Sequence, residues 1–269
     1  MKGKFKKTPL YNEKWDGVIW YAPSIFHGPF VNYLKTSSDC KGYLIIRDIF
    51  LEWAVHMGLM GRGLIYRFFN AVARYQYSVA DIIGVQTPGN LSYFEEWERE
   101  KGKKIVVLQN WLADTKPDFC SISINKTVLA GRKVFVYAGN MGVAQGMGVL
   151  IELADRLKNK REVGFLFVGR GSEVKKLADE AAKRSLNNIL FKDEIHPDEI
   201  PALYAQCAVG IVSLDQRHKS HNIPGKFLSY MQSGMPVLAN INPGNDLSEI
   251  IRSENVGVVC ESANLDELE

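Results

Sequence analysis

Residues 134–148, which read V-F-V-Y-A-G-N-M-G-V-A-Q-G-M-G, constrain the fold more than any other stretch. Val134–Tyr137 is a short apolar run that predicts a buried strand, and Gly139 and Gly142 allow a tight turn after it. Apolar residues then recur with helical spacing from Met147. Free N–H groups at such a turn, together with the helix dipole, favour an anion such as a diphosphate. The alternative is a plain β–α turn that binds nothing. The stretch has neither the G-x-G-x-x-G nor the Walker A pattern.

Strand-like and helix-like segments alternate along most of the chain, which predicts an α/β protein with parallel sheets. The predicted strands are residues 17–21, 42–46, 81–86, 104–108, 134–138, 163–168, 188–191, 208–212, 236–239 and 257–259. The predicted helices are residues 26–35, 63–80, 91–101, 147–160, 172–184, 198–206, 224–233 and 246–253. Residues 113–131 are polar and aperiodic, so we predict a first lobe over 1–112, an interlobe crossing over 113–131 and a second lobe over 132–269.

Composition excludes several classes of protein. The net charge of +3 is too small to indicate a nucleic-acid partner. The four cysteines are far apart and lack metal-ligand spacing, which predicts reduced thiols. We find no apolar run long enough to cross a bilayer and no secretory signal pattern.

Two basic residues follow predicted strands, where ligands of parallel sheets bind. Arg170 lies between two glycines, where its side chain could stack on a base or contact a phosphate. The alternative is an arginine that faces solvent in a turn. Pro224 suits the first turn of a helix, so Lys226 lies near a helix N-terminus, where the dipole disfavours a cation. A bound phosphate would offset this cost, whereas a solvated surface lysine is the alternative.

Other polar residues near strand ends carry weaker predictions. For Asp48 we prefer an ion pair or a cap, and a catalytic or acceptor-orienting carboxylate is the second hypothesis. His218 and His221 lack further ligands at suitable spacing, so no metal site is predicted.

The order of the motifs resembles a known family. The set F-V-Y-A-G-N-M-G, F-L-F-V-G-R-G, I-P-A-L-Y-A and I-P-G-K-F-L-S-Y-M-Q-S-G-M-P-V-L-A resembles the nucleotide-sugar lobe of retaining family 4 glycosyltransferases of the GT-B fold. More narrowly, W-Y-A-P-S-I-F-H-G-P, Y-L-I-I-R-D-I-F and H-N-I-P-G-K-F resemble bacterial O-antigen L-fucosamine transferases, from about Asp16 onward.

The resemblance implies a retaining transfer of an amino-deoxy sugar, such as N-acetyl-L-fucosamine, from a UDP-sugar donor. Lys226 would neutralise the diphosphate, and Asp48 is a second catalytic candidate. No cofactor is expected, because the UDP-sugar is a substrate. No metal is expected either, because the implied reaction needs none and no D-x-D-like pair stands out. The residues expected to hold the diphosphate through backbone N–H groups are Gly139, Asn140, Met141 and Gly142. Those expected to contact the base and ribose are Arg170, Ile195 and Ser229.

The implied acceptor is a lipid-linked saccharide in O-antigen or capsule synthesis, bound by the first lobe at the inner membrane face. A cytoplasmic enzyme with peripheral membrane contact is therefore expected. The aromatic and basic stretch Arg62–Tyr77 would lie at the membrane surface. The alternative, which we prefer, is a core helix with buried aromatic side chains.

The chain departs from the family pattern in three ways. His221 and Ser229 stand where the broad family has two glutamates, and Asn140 and Gln145 stand where it has arginine and lysine. The opening strands of the first lobe and the closing helices of the family are not found. We therefore expect a partial first lobe, exposed strand edges, and poor turnover unless a partner chain supplies the rest. A nucleotide-sugar-binding module without turnover is the alternative function, and a sugar-nucleotide epimerase or dehydrogenase ranks last.

Overall fold

The computed structural model describes residues 2–219 and 221–269, in two compact α/β units. The first unit contains residues up to Gln109 together with His221 and Asn222. The second contains Asn110–Lys219 and Ile223–Glu269. Each unit is built on a parallel sheet, so the predicted α/β class is confirmed.

The first unit has a four-stranded parallel sheet whose strands are neighbours in chain order. Its strands are β1 (Gly17–Ala22), β2 (Lys41–Ile46), β3 (Ile82–Val85) and β4 (Lys104–Val107). Its helices are α1 (Lys2–Phe5), α2 (Gly28–Ser38), α3 (Glu52–His56), α4 (Leu64–Val79) and α5 (Glu95–Lys101), with 3₁₀ turns at Pro9–Asn12, Pro88–Asn90 and Ser92–Phe94. Helix α3 was not predicted, because five residues are too few to display a helical period.

One face of this sheet forms the core of the first unit. Trp20, Leu44 and Ile83 are buried there with the helical residues Ala73 and Tyr77. On the opposite face of β1, the side chains of Ile19 and Tyr21 are 72 % and 61 % exposed. The helices of the first unit therefore cover the sheet from one side along β1.

Helix α4 matches the prediction of a core helix with buried aromatic side chains only in part. Tyr77 is buried, and Tyr66 and Phe69 pack against the core, but Phe68 and Tyr75 are 61 % and 43 % exposed. The reason is that Phe68 and Tyr75, seven residues apart, lie on a side of α4 that the core does not cover. Within residues 2–219 and 221–269, every helix is too short or too polar to cross a bilayer.

The second unit has a six-stranded parallel sheet of order β10-β9-β8-β5-β6-β7. Its strands are β5 (Lys133–Ala138), β6 (Val163–Val168), β7 (Ile189–Lys192), β8 (Val209–Ser213), β9 (Val237–Asn240) and β10 (Gly257–Cys260). Its helices are α6 (Gly148–Arg156), α7 (Val174–Lys183), α8 (Ile200–Tyr204), α9 (Gly225–Gln232), α10 (Asp246–Ser253) and α11 (Leu265–Leu268), with 3₁₀ turns at Ile124–Lys126, Val143–Gln145 and Pro197–Glu199.

Both faces of the second sheet are covered, as the sequence predicts. Val136 and Leu166 pack on one side in a cluster that includes Phe227 of α9. Tyr137 and Phe167 pack on the other side, in a cluster with residues of α6. The strand order reverses between β5 and β8, and ligands of such sheets bind at the carboxyl ends of the strands near this point.

Residues 113–131, predicted to be an interlobe crossing, group with the second unit. Ile122, Ile124 and Leu129 are buried in its core. The four cysteines are free thiols in the structure.

Candidate functional site

A cavity of about 380 Å³ opens at the carboxyl ends of β5, β6 and β7. Its walls come from the loops after these strands and from α8 and α9. The structure brings together six of the residues predicted for the donor site, which are Gly139, Asn140, Arg170, Ile195, Lys226 and Ser229.

The loops after β5 and β6 lie against each other, backbone to backbone. The N–H of Gly139 donates to the carbonyl of Val168 at 2.9 Å, and the N–H of Met141 donates to the carbonyl of Arg170 at 2.7 Å. Gly169 has a φ of +143°, and a Cβ at this position would lie 2.0 Å from the carbonyl oxygen of Gly139. Only glycine fits this approach, so Gly169 holds the floor of the cavity.

Two residues predicted to hold the diphosphate do not line this cavity. Met141 is fully buried in the core beneath the loop. Gly142 borders a separate hollow, and its N–H donates to the side-chain oxygen of Gln145 at 2.9 Å. The N–H groups of Gly139 and Met141 also donate to backbone carbonyls. Of the four residues predicted to hold the diphosphate, Asn140 is therefore the one whose N–H has no acceptor in the part of the chain that the structure describes.

Lys226 provides a cation in the cavity wall. It is the second residue of α9, and its Cε and Nζ atoms are 3.5 Å from where a Cβ on Gly139 would lie. Its Nζ is 3.6 Å from the ring centroid of Tyr137, a cation–π contact. No carboxylate in residues 2–219 and 221–269 forms an ion pair with it. Burial lowers the pKa of Lys226 to about 7.

Tyr137 supports both the loop and the lysine, and sequence reasoning placed it only in a buried strand. Its hydroxyl donates to the carbonyl of Asn140 at 2.6 Å, while its ring lies under the Lys226 ammonium. The available signal was a tyrosine one residue before the end of the strand, where its polar tip reaches the following turn. Burial raises the pKa of the Tyr137 hydroxyl well above its usual value.

The loop after β5 carries neutral side chains where the broad family has cations. The amide of Asn140 donates to the side-chain oxygen of Gln145 at 3.2 Å. The cations of the described cavity wall are therefore Arg170 and Lys226. Arg170 is 3.1 Å from the Glu194 carboxylate, but both side chains are more than half exposed, so this pair contributes little to stability.

The other end of the cavity is mainly apolar. Ile195, Pro197, Ile200 and Tyr204 line it, and the last three had no predicted role. The Ser229 hydroxyl donates to the carbonyl of Gly225 one helical turn earlier, at 3.3 Å. An apolar wall beside an ammonium that no described carboxylate neutralises is complementary to a ligand that has a planar ring system at one end and an anionic group next to it.

Asp48 and His221 belong to the first unit, outside this cavity. The Asn222 amide donates to the Asp48 carboxylate at 3.4 Å. The side-chain amide of Asn90 donates to the carbonyl of His221 at 2.6 Å. The catalytic role of Asp48 stays a prediction. No group of three or more potential metal ligands occurs in the described ranges.

Residues 132–269, just over half of the chain, match the sequence model of a family described as glycosyl transferases group 1. The chain belongs to this family of glycosyltransferases. The matched segment contains every residue that lines the cavity.

Two curated relatives support the assignment along more of the chain. The probable glycosyltransferase WbjE of Pseudomonas aeruginosa is 25 % identical over 232 residues, which is 84 % of this chain and 58 % of WbjE. The putative colanic acid biosynthesis glycosyl transferase WcaI of Escherichia coli is 24 % identical over 262 residues, which is 92 % of this chain and 60 % of WcaI. The chain thus spans about three fifths of the length of these relatives.

Solved structures confirm the predicted GT-B fold. Alr3699/HepE of Anabaena, crystallised with UDP, matches with a TM-score of 0.68 at 16 % identity, over 93 % of this chain and 66 % of HepE. A TarM variant of S. aureus, crystallised with UDP and other ligands, matches with a TM-score of 0.64 at 16 % identity, over 93 % of this chain and 46 % of TarM. The closeness to L-fucosamine transferases suggested by the sequence stays a prediction.

Proposed function

We propose that the cavity of the second unit binds a UDP-sugar and that this glycosyltransferase transfers the sugar with retention. The proposed donor carries an amino-deoxy sugar such as N-acetyl-L-fucosamine, and the proposed acceptor is a lipid-linked saccharide of O-antigen or capsule synthesis. Family membership supports sugar transfer, and WcaI, a relative described as a putative colanic acid biosynthesis glycosyl transferase, supports a polysaccharide product. The UDP bound by HepE supports the choice of nucleotide.

The single observation that carries the donor proposal is the position of Lys226. Its ammonium lies beside the glycine turn after β5 without a carboxylate to neutralise it in the described chain. A diphosphate would supply the missing anion. Arg170 and the Asn140 N–H would add donors, while Ile195, Ser229 and their neighbours would face the base and ribose.

In the proposed reaction, the bond between the sugar C1 and the β-phosphate oxygen breaks. A bond from an acceptor hydroxyl oxygen to C1 forms, and the hydroxyl proton passes to an oxygen of the departing diphosphate. Lys226 would stabilise the charge that develops on the diphosphate, and the protein would otherwise position the reactants. Asp48 is proposed to orient the acceptor hydroxyl.

A nucleotide panel tests the donor proposal. The melting temperature of the 269-residue chain is measured with UDP, GDP, dTDP and NAD. We expect the largest rise with UDP, because a ligand that binds only the folded state stabilises it. A rise with NAD alone would contradict the proposal. Release of UDP from a UDP-sugar in the presence of acceptor then separates a transferase from a module that binds without turnover.

UDP binding is expected to weaken as the pH rises above 7. Lys226, with a pKa of about 7, is largely neutral at pH 8 to 9. If the diphosphate binds to the ammonium form, Lys226 must take up a proton when UDP binds. The dissociation constant should therefore rise by up to about tenfold per pH unit between pH 7 and 9. The phosphates of UDP are ionised throughout this window.

The control for this pH dependence is Lys226→Arg, since arginine remains charged at every pH used. Titration calorimetry at pH 7, 8 and 9 should give a flat profile for this variant. A native profile as flat as that of the variant would show that Lys226 does not take up the proton.

A further inference from the structure

The chain enters the second unit at two residues, and these residues are hydrogen-bonded to each other. The first entry is at Asn110 and the second is at Ile223. The side-chain amide of Asn110 donates to the carbonyl of Ile223 at 3.0 Å. Ile223 comes just before Pro224, the N-cap residue of α9. The bond therefore lies at the start of the helix that carries Lys226.

Helix α9 begins without the side-chain cap that usually fixes a helix N-terminus. Its N-cap is Pro224, whose ring carries no hydrogen-bonding group. A Cβ on Gly225, the first helical residue, would meet nothing within 4 Å in the chain as described. The first turn is therefore fixed mainly by the apolar residues on either side of it, Ile223 and Phe227, which are 6 % and 4 % exposed in the core.

Lys226 lies between these two anchored residues. Since none of the described carboxylates forms an ion pair with its ammonium, the contact that fixes it is the ring of Tyr137, whose centroid is 3.6 Å from Nζ. A cation–π contact requires the ammonium to lie over the face of the ring. A shift of Ile223, three residues earlier, would therefore move the ammonium off that face.

The other end of α9 is held by the same segment of the chain. The side-chain amide of Gln232, the last helical residue, donates to the carbonyl of Ala113 at 2.8 Å. The hydroxyl of Thr115 donates to the side-chain oxygen of Gln232 at 3.3 Å. Residues 110–115 thus reach both ends of the helix. Gln232 is exposed and six residues from Lys226, or about 9 Å along the helix axis.

We propose that Asn110 is a positioning residue for Lys226. By holding the carbonyl of Ile223, its amide fixes the start of α9 and keeps the Lys226 ammonium over Tyr137, beside the turn at Gly139. The inference rests on the proposed function, in which that ammonium binds the diphosphate of the donor. Asn110 is not among the described residues that line the donor cavity, so it acts on the donor through Lys226.

The position of the lysine is measured by NMR on the 269-residue chain without nucleotide. Protons over the face of an aromatic ring resonate upfield, so we expect an upfield shift for the Cε protons of Lys226. These signals are assigned by their absence from the spectrum of Lys226→Arg. In Asn110→Ala they should move toward the ordinary lysine position, because the Ile223 carbonyl has lost its donor. Asn110→Asp keeps the shape of the side chain but has no N–H to donate, and it should give the same change.

Gln232→Ala is the matched control for the NMR measurement. It removes the same kind of bond, from a side-chain amide to a carbonyl of residues 110–115, but at the end of α9 remote from Lys226. The Lys226 signals should therefore keep their native positions in this variant. The melting temperature of each variant checks that it is folded.

A double-mutant cycle measures what this positioning contributes to donor binding. Asn110→Ala should weaken UDP binding about fivefold in calorimetry at pH 7, the effect expected from loss of one hydrogen bond. In the Lys226→Ala background, the same substitution should change the dissociation constant by less than about twofold. The reason is that the ammonium positioned by Asn110 is then absent.

Three outcomes would overturn the proposal. The first is Lys226 signals that stay in place in Asn110→Ala, or that move equally in Gln232→Ala. The second is a dissociation constant that Asn110→Ala leaves unchanged although Lys226→Ala raises it. The third is an equal loss of affinity in both backgrounds. UDP binding that Lys226→Ala does not weaken would count against the donor proposal alone, because the NMR comparison would still decide whether Asn110 positions the lysine.

Discussion

Lys226→Ala is expected to weaken UDP binding by about 100-fold, since loss of one partner of a desolvated charge pair costs about 2–5 kcal/mol. The ammonium of Lys226 lies over the ring of Tyr137 beside the turn at Gly139, and Asn140 and Gln145 bring no charge to that turn. The remaining cation of the described cavity wall, Arg170, is well exposed and paired with Glu194. Titration calorimetry at pH 7 measures the effect.

Lys183→Ala is the matched control for this substitution. Lys183 is exposed at the end of α7 in the same unit, so its loss changes the net charge equally but leaves the cavity intact. The unliganded Lys226→Ala variant should remain folded, because it removes a half-buried ammonium that has no carboxylate partner in the described residues. UDP affinity within about threefold of the native value would mean that the diphosphate is not held by Lys226.

Gly169→Ala is expected to lower the free energy of unfolding by about 3 kcal/mol or more. Its φ of +143° disfavours any side chain, and the added Cβ would lie 2.0 Å from the carbonyl oxygen of Gly139. The added Cβ would clash with backbone atoms and not with a flexible side chain, so the loops after β5 and β6 would have to move apart. Because those loops form the floor of the cavity, UDP binding should be lost together with stability. Denaturant unfolding and calorimetry measure the two effects.

Gly148→Ala is the control for backbone freedom. Gly148 begins α6, and a Cβ there would meet nothing within 4 Å. Its replacement should be neutral or stabilising by about 0.5–1 kcal/mol. If Gly169→Ala changed the free energy of unfolding as little as Gly148→Ala, the close backbone contact between the loops after β5 and β6 would be contradicted.

Some residues of the cavity can be predicted from the sequence pattern, and others are identified only by the packing of the folded chain. Arg170 and Lys226 are detectable in sequence because each follows a strand or begins a helix, and strand ends of a parallel sheet meet at one edge. Tyr204 and Tyr137 were missed as site residues because apolar periodicity assigns them to the core. Met141 and Gly142 were expected at the diphosphate because a glycine turn suggests free N–H groups. Hydrogen bonds to a neighbouring loop and to a side chain decide how those groups are used.

In the first unit, too, the sequence predicts the secondary structure but not how far its surfaces are covered. Local apolar runs predict its strands within one or two residues, since a buried parallel strand needs only a short continuous pattern. Helix α4 was also predicted, but the exposure of its apolar side chains was not. The period of a helix identifies which residues share a side, whereas the position of the helix on the sheet determines how far that side is covered.

The amino-acid sequence by itself determined the α/β alternation, the parallel sheets, the family and the two cations near strand ends. These follow from period, turn chemistry and motif order, which are local properties of the chain. Only the tertiary structure decided that Lys226 lies over Tyr137 without a carboxylate partner in the described residues, that Gly169 touches the backbone of Gly139, and that Leu64, Ile65 and Phe68 remain exposed. Each of these depends on contacts between segments distant in the chain, and burial and close approach arise only when those segments pack together.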